Sequence, residues 1–156
     1  MKKYVKDSYV IMHELILPND TNNLNTVFGG KVMQYMDLCA AMSAYKFART
    51  AVVTASVDRL DFLAPARVGD MLILKSSVNY NHNSSMEIGV RIDAENVKTG
   101  KRRHTASAYL TFVSLDENSK PQQVNNIIPE SDDEKRRYKE GKVRHAERRK
   151  RLKDKK

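Results

Sequence analysis

The sequence predicts an α+β fold in which an antiparallel sheet wraps one long helix. Three observations carry this. One segment, opening at Gly30 and running to about Arg49, is apolar round most of its circumference, with Val32, Met33, Met36, Leu38, Met42 and Phe47. That is the mark of a helix buried on several sides. Four segments that follow it are rich in β-branched residues or alternate apolar with polar. Three of them reach about ten residues, roughly 35 Å when extended, long enough to cover a helix of about five turns.

The elements follow in order. Ser8–Leu17 ("SYVIMHELIL") reads as a first strand. It ends in the loop Pro18–Thr26, where Pro, Asp and repeated Asn are turn formers. Gly29 and Gly30 then lead into the long helix. Its small residues Ala40, Ala41, Ala44 and Ala48 recur at helical spacing and let another element pack close. Val52–Ala64 is the second strand, and "PARVGD" with Pro65 and Gly69 is a turn. Met71–Asn81 is the third strand, followed by the short connection "HNSS". Met86–Val97 alternates cleanly, with Ile88, Val90, Ile92 and Ala94 on one side and Glu87, Arg91, Asp93 and Glu95 on the other. "KTGKR", with Gly100, is a hairpin turn, and Arg103–Asp116 is the last strand. After a linker, Ser131 and Glu134 stand at capping-box spacing and open a polar helix, Asp132–Lys150. We therefore divide the chain into one domain over residues 1–129 and a basic helical tail over residues 130–156.

A length of 156 residues suits one domain. An apolar share of 40% beside a charged share of 30% is that of a soluble globular protein. No apolar run is long enough for a membrane span. The N-terminus, "MKKYVKDSYVIMHELI", has lysines but no unbroken apolar core and no small-residue cleavage site, so it is expected to begin the mature protein. Cys39 is the only cysteine and cannot form an internal disulfide, which points to a reducing cytoplasm. The positive charge is concentrated in the tail: residues 130–156 hold 13 Lys/Arg against 7 Asp/Glu, a net +6 of the chain's +9. Acids are mixed among these bases and Tyr138 is the tail's only aromatic, a pattern of a solvated helix rather than a nucleic-acid site.

Between Asn25 and Ala48 there is a single carboxylate, Asp37. An ionised carboxylate in apolar surroundings is costly unless it is paired or hydrogen-bonded. One turn away lie Met33, Gln34, Ala40 and Ala41, none of them charged. Two readings stand. Asp37 lies on a thin polar edge with Lys31 and Gln34 and is hydrated; or it is set beside a reacting group, with partial burial tuning its proton affinity. At the helix start, Gly29 and Gly30 let backbone approach a ligand, and their free N–H groups suit an anion or a polarised carbonyl oxygen. Gly30 and Asp37 are about 10 Å apart along a helix axis. One helix cannot bring both onto one carbonyl, but two antiparallel helices from two subunits can. A site shared across a two-fold interface is expected, with Asp37 of one chain facing Thr26–Gly30 of the other. His13, His82, His104, His145 and Cys39 show no metal-ligand spacing. His82 and His104 are expected at the surface, and Cys39, two residues after Asp37, in the core.

Four separated stretches, "PNDTNNLNTVFGGKVMQYMDLCAAMSA", "VVTASVDRLDFLAPARVGD", "NSSMEI" and "ASAYLTFVSLD", resemble the hotdog-fold acyl-CoA thioesterases. The likeness is to the group that includes cytosolic long-chain acyl-CoA hydrolases and single-domain bacterial relatives, and it covers about residues 8–150. The resemblance implies a sheet wrapped round a central helix, homodimers, and often a trimer of dimers. It implies hydrolysis of acyl-CoA to free fatty acid and CoA, without metal or cofactor. Asp37 in "QYMDLCAA" matches the family's catalytic acid. Thr26 stands where many relatives carry Asn or Asp, so the second polar group is Thr26 or its neighbour Asn25. The chemistry of the residues agrees: Asp37 can act as general base or nucleophile, and backbone N–H groups at Gly29 and Gly30 can polarise the thioester carbonyl. Thr54 and Ser56 in "VTASVD", and Ser85 in "SSM", match stretches that line the thioester and pantetheine end. Arg59, Arg67, Lys101, Arg102 and Arg103 are candidates for the CoA phosphates. The alternative is a non-catalytic acyl-CoA-binding or regulatory protein, favoured by the threonine at position 26.

Overall fold

A computed structural model describes residues 1–156. The elements are β1 (Lys3–Tyr4), β2 (Val10–Leu15), α1 (Gly29–Ala48), β3 (Ala51–Phe62), β4 (Asp70–His82), β5 (Ser85–Asn96), β6 (Arg102–Leu115), β7 (Ile127–Ile128) and α2 (Asp132–Asp154). Every element read from the sequence is present. The first strand is shorter than read, because Val5–Ser8 forms a 3-10 turn and pulls Ser8 into the interior. The tail helix runs on to Asp154.

The main sheet is antiparallel in the order β2-β4-β5-β6-β3. The strand that follows α1 thus lies at one edge and the strand that precedes it at the other. β1 and β7 pair in parallel and tie the N-terminus to the linker that precedes α2. α1 buries one stripe, Val32, Met36, Cys39, Ala40, Ser43, Ala44 and Phe47, at the spacing of a single helix face. It packs into a core with Leu72, Leu74, Ile88, Ile92, Leu110 and Phe112. The buried hydroxyls there satisfy one another: Ser43 and Ser76 are 2.6 Å apart, and Ser76 donates to the Cys39 carbonyl at 3.0 Å. Arg49 in the left-handed conformation, φ 57°, ends the helix, its N–H donating to Tyr45 O.

Burial of α1 on several sides is not what one chain shows. A five-stranded sheet covers one side of the helix. Met33, Leu38 and Tyr45 remain exposed, as do Val53, Val57 and Phe62 of the edge strand β3.

The tail helix is not a solvated appendage. The Ser131–Glu134 capping box forms as the sequence predicts, with Glu134 N donating to Ser131 Oγ at 3.1 Å and Ser131 N to Glu134 Oε2 at 3.2 Å. From there α2 lies on the sheet face opposite α1. Gly141 permits the close approach: a Cβ there would sit 3.0 Å from Tyr80 Cβ and 3.1 Å from Glu87 Oε1. Tyr138 packs edge-on against Tyr80, with ring centroids 5.1 Å apart. Arg144 donates to both oxygens of the buried Glu87 carboxylate, at 3.0 and 2.7 Å. Burial by itself pushes the Arg144 guanidinium down, but the hydrogen bonds and charge of Glu87 hold it above its ordinary value.

Candidate active site

α1 places Asp37 half-buried, outside the core stripe and facing the edge strand. Thr54 of β3 donates its hydroxyl to Asp37 Oδ1 at 2.6 Å, a short charge-assisted bond. Asp37 has no cationic partner within ion-pair distance. Its Oδ2 takes no hydrogen bond from the chain. The carboxylate is oriented but not neutralised, which is the state a base or nucleophile needs.

The loop before α1 is organised by Asn22. Its Oδ1 accepts from Leu24 N at 2.9 Å, Thr26 N at 3.3 Å and Thr26 Oγ1 at 3.1 Å. The Nδ2 group remains uncommitted. Sequence reasoning did not single out Asn22, which organises this loop. A signal was present, since an Asn that closes a turn onto residues two and four places on is a regular loop device. The run of asparagines obscured which one does this. Thr26 is half-buried, and its backbone bridges to Arg67. Asn25 is exposed in the left-handed conformation, φ 59°, a position where asparagine serves the turn.

Phe28 caps α1 without a side-chain bond, and its carbonyl accepts from Lys31 N and Val32 N. The N–H groups of Gly29 and Gly30 make no hydrogen bond within the chain and point out of the helix start as free donors. Beside them lies an open groove of about 390 Å³ lined by Thr26, Gly29, Phe62, Leu63, Pro65 and Thr105. It is mostly apolar, with Thr26 and Thr105 as its polar side chains.

Within one chain, Asp37 and Thr54 come together, and so do Thr26, Gly29 and Gly30. The two groups stay apart along α1. Ser56 and Ser85 lie elsewhere. Ser56 is turned to the α2 side of the sheet, donating to Asp58 at 2.6 Å and accepting from Arg148 at 3.2 Å. Ser85 donates to the His82 carbonyl in the β4–β5 hairpin. Of the basic residues, Arg59 pairs with Asp61, Arg102 with Glu95 and Arg103 with Asp70, whereas Arg67 and Lys101 form no ion pair. His82 stacks near His145 of α2, at 4.9 Å between centroids. His104 bonds locally to Ser107 at 2.7 Å. A larger cavity, about 460 Å³, opens on the α2 side between Tyr9, Lys75, Tyr109 and Arg137, away from Asp37.

The profile of the thioesterase superfamily matches residues 24–101, a stretch that holds Thr26, Gly29, Gly30, Asp37 and Thr54. The chain belongs to the thioesterase superfamily. Other members share its sequence closely. The uncharacterized acyl-CoA thioester hydrolase YkhA of Bacillus subtilis is 43% identical over 132 residues, covering 85% of this chain and 77% of that protein. Among solved structures, an apo-hexameric acyl-CoA thioesterase superposes with a TM-score of 0.93 at 43% identity, over 97% of both chains. The acyl-CoA hydrolase of Staphylococcus aureus, solved with butyryl coenzyme A, coenzyme A and coenzyme A disulfide, superposes at 0.93 with 39% identity, over 99% of this chain and 94% of that one. The helix-in-sheet architecture of this superfamily member is the hotdog fold expected from the sequence.

Proposed function

We propose that the chain is an acyl-CoA thioester hydrolase whose carboxylate is Asp37. The observation that carries the reading is the unpaired Asp37 carboxylate held at 2.6 Å by Thr54 on the exposed apolar edge of the sheet. The relatives add support. The Staphylococcus aureus hydrolase has been solved with an asparagine, an aspartate and a threonine each replaced by alanine. Those three residues stand at the same spacing as Asn22, Asp37 and Thr54. Asn22 is therefore the second polar side chain we propose, with Thr26 holding its carbonyl oxygen so that Nδ2 faces outward, and with Asn25 shaping the turn. The alternative of a non-catalytic binding protein rested on the threonine at position 26; an amide supplied by Asn22 removes that ground.

The chemistry follows from the parts. The thioester carbonyl oxygen lies on the free N–H groups of Gly29 and Gly30, which stabilise the oxyanion as the tetrahedral intermediate forms. Asp37 either takes the proton of an attacking water or attacks the carbonyl itself, giving an acyl-carboxylate anhydride that water then opens. CoA leaves as the thiolate and the acyl group as the carboxylate. Residues seven apart on one helix are about 10 Å apart, so Asp37 of one chain works with Gly29 and Gly30 of another. The exposed Val53 and Val57 on β3, with Met33 and Leu38 on α1, supply the apolar surface for that pairing. The hexameric relative shows that such chains assemble further. The groove beside Gly29 receives the arm of the thioester, and Arg67, unpaired and next to Thr26, is the cation best placed for CoA phosphates.

The test is release of free CoA thiol from a panel of short- to long-chain acyl-CoAs. Wild type is compared with Asp37→Ala and Asn22→Ala, with folding and assembly checked for each. Loss of a carboxylate base lowers kcat by about a hundredfold or more. Equal turnover by wild type and Asp37→Ala would overturn the site. No turnover by wild type, with acyl-CoA binding intact, would return the reading to a binding protein. A single turnover in ¹⁸O-water that leaves label in the Asp37 carboxylate establishes the nucleophilic route with water opening the anhydride at Cγ; label confined to the fatty acid fits direct attack by water or opening at the acyl carbon, which trapping of the acyl-enzyme then separates.

A further inference from the structure

β3 departs from a regular ladder twice, and both departures come directly after the residue that holds Asp37. Its pairing with β6 shifts register between Thr54 and Ser56 and again between Val57 and Arg59. In an unbroken strand Thr54 and Ser56 would point to the same face. Here Thr54 opposes Phe112, which lies in the core, while Ser56 opposes Thr111, whose hydroxyl is on the α2 side. The extra residue at Ala55 is what lets Thr54 reach Asp37 on one face while Ser56 reaches Arg148 on the other. The second extra residue is Asp58.

A bulge leaves backbone groups unpaired and bends the strand, so it persists only where something fixes it. Asp58 does this. Its carboxylate accepts from Ser56 Oγ and from Thr111 Oγ1, each at 2.6 Å. Arg148 and Arg151 of α2 approach it at 3.7 and 3.6 Å. Arg148 also donates to Ser56. The Asp58 side chain is 11% exposed and that of Arg148 16%, so the pair is shielded from solvent. The cluster therefore pins both bulges to β6 and to α2 at once.

We propose that Asp58 is a positioning residue for the hydrolysis: clamped by Thr111, Ser56 and the arginines of α2, it holds the double bulge that turns Thr54 onto Asp37. The inference rests on the assignment of Asp37 and Thr54 to the active site. It makes the C-terminal helix part of the catalytic apparatus, acting through β3 from the sheet face opposite Asp37.

The experiment measures kcat and KM for wild type, Thr54→Ala, Asp58→Asn and the double variant, with melting and assembly recorded for each. Thr54→Ala lowers kcat about tenfold or more, as loss of a hydrogen bond to a charged group does. Asp58→Asn lowers kcat by several-fold while KM stays within about twofold. In the Thr54→Ala background it changes kcat less than about twofold, because there is no longer a Thr54 hydroxyl to position. Equal factors in both backgrounds, or an unchanged kcat in Asp58→Asn, would overturn the proposal and leave the site reading standing. An unchanged kcat in Thr54→Ala would overturn both. Should Asp58→Asn fail to fold, Arg148→Ala and Arg148→Lys replace it. A lowered kcat in the first that the second restores upholds the clamp; wild-type kcat in both ends it.

Discussion

Arg144→Ala tests whether α2 is an integral layer of the fold. Arg144 gives Glu87 two hydrogen bonds, at 3.0 and 2.7 Å, and Asn79 Nδ2 gives a third at 3.1 Å. The Glu87 side chain is 6% exposed and that of Arg144 22%. Truncating the arginine leaves a buried carboxylate with one neutral donor. Removing one partner of a buried pair costs about 3–5 kcal/mol. Arg144 lies at the rim of the α2 interface, where water can follow it in, so the lower end applies, about 3 kcal/mol. The guanidinium also lies 3.7 Å from the Tyr109 ring centroid, a contact of about 0.5–1 kcal/mol. In a chain of this size each kcal/mol moves Tm by about 2–4 °C, so a fall of roughly 10 °C is expected. Thermal and urea unfolding should be compared at one subunit concentration, because assembly raises apparent stability by mass action. The double variant Glu87→Leu, Arg144→Leu should recover at least half of the loss, since no charge is then left buried. A change below about 0.5 kcal/mol in Arg144→Ala would refute the docked helix.

Two further outcomes follow. Ser131→Ala removes the capping oxygen of α2 and should cost about 1 kcal/mol, read as a lowered urea midpoint with the slope unchanged. His145 is held below the ordinary imidazole value of 6.5 by burial first, then by His82, Arg149 and Arg148, against a weaker opposing pull from Glu87. Its unfolded form takes up a proton before the folded form does, so its share of stability is complete above pH 6.5 and is lost as pH falls below that value. His145→Gln should flatten the fall in Tm between pH 7.5 and pH 5.5; an equal fall in wild type and variant would show that His145 is not the group responsible.

The sequence carried the architecture because its signals were local and strong. The alternation of Ile88, Val90, Ile92 and Ala94 gives β5 its buried face, and the Ser131–Glu134 spacing marks the start of α2. Asp37, the carboxylate we propose for the site, was legible because a lone carboxylate in an apolar helix is conspicuous. Asn22, proposed beside it, was not, because four asparagines in one loop look alike until their hydrogen bonds are known. The facing of Ser56 was not, because a period of two is the only rule a strand sequence offers, and an inserted residue breaks it silently. The exposed side of α1 was read as buried because apolarity marks a contact without saying which chain supplies it.

The charge of the tail takes on a different meaning once its geometry is known. Arg144, Arg148 and Arg151 fall one turn apart on α2, on the side that meets the sheet. Opposite them the sheet carries Glu87, which alternation places away from the α1 core, and Asp58, which the bulges of β3 turn to the same side. Part of the basic excess of residues 130–156 is thus one half of an ion-pair layer whose other half is in the body. Two acids that would be costly to bury alone are tolerated because the helix brings their counter-charges. Cutting the chain after residue 129 would therefore do more than remove a basic extension. It would leave Glu87 with only Asn79, and Asp58 with only two hydroxyls, on a sheet face stripped of its cover. The loss of stability should appear as earlier melting. If Asp58 positions Thr54, the loss of turnover should appear even at temperatures where the truncated chain remains folded.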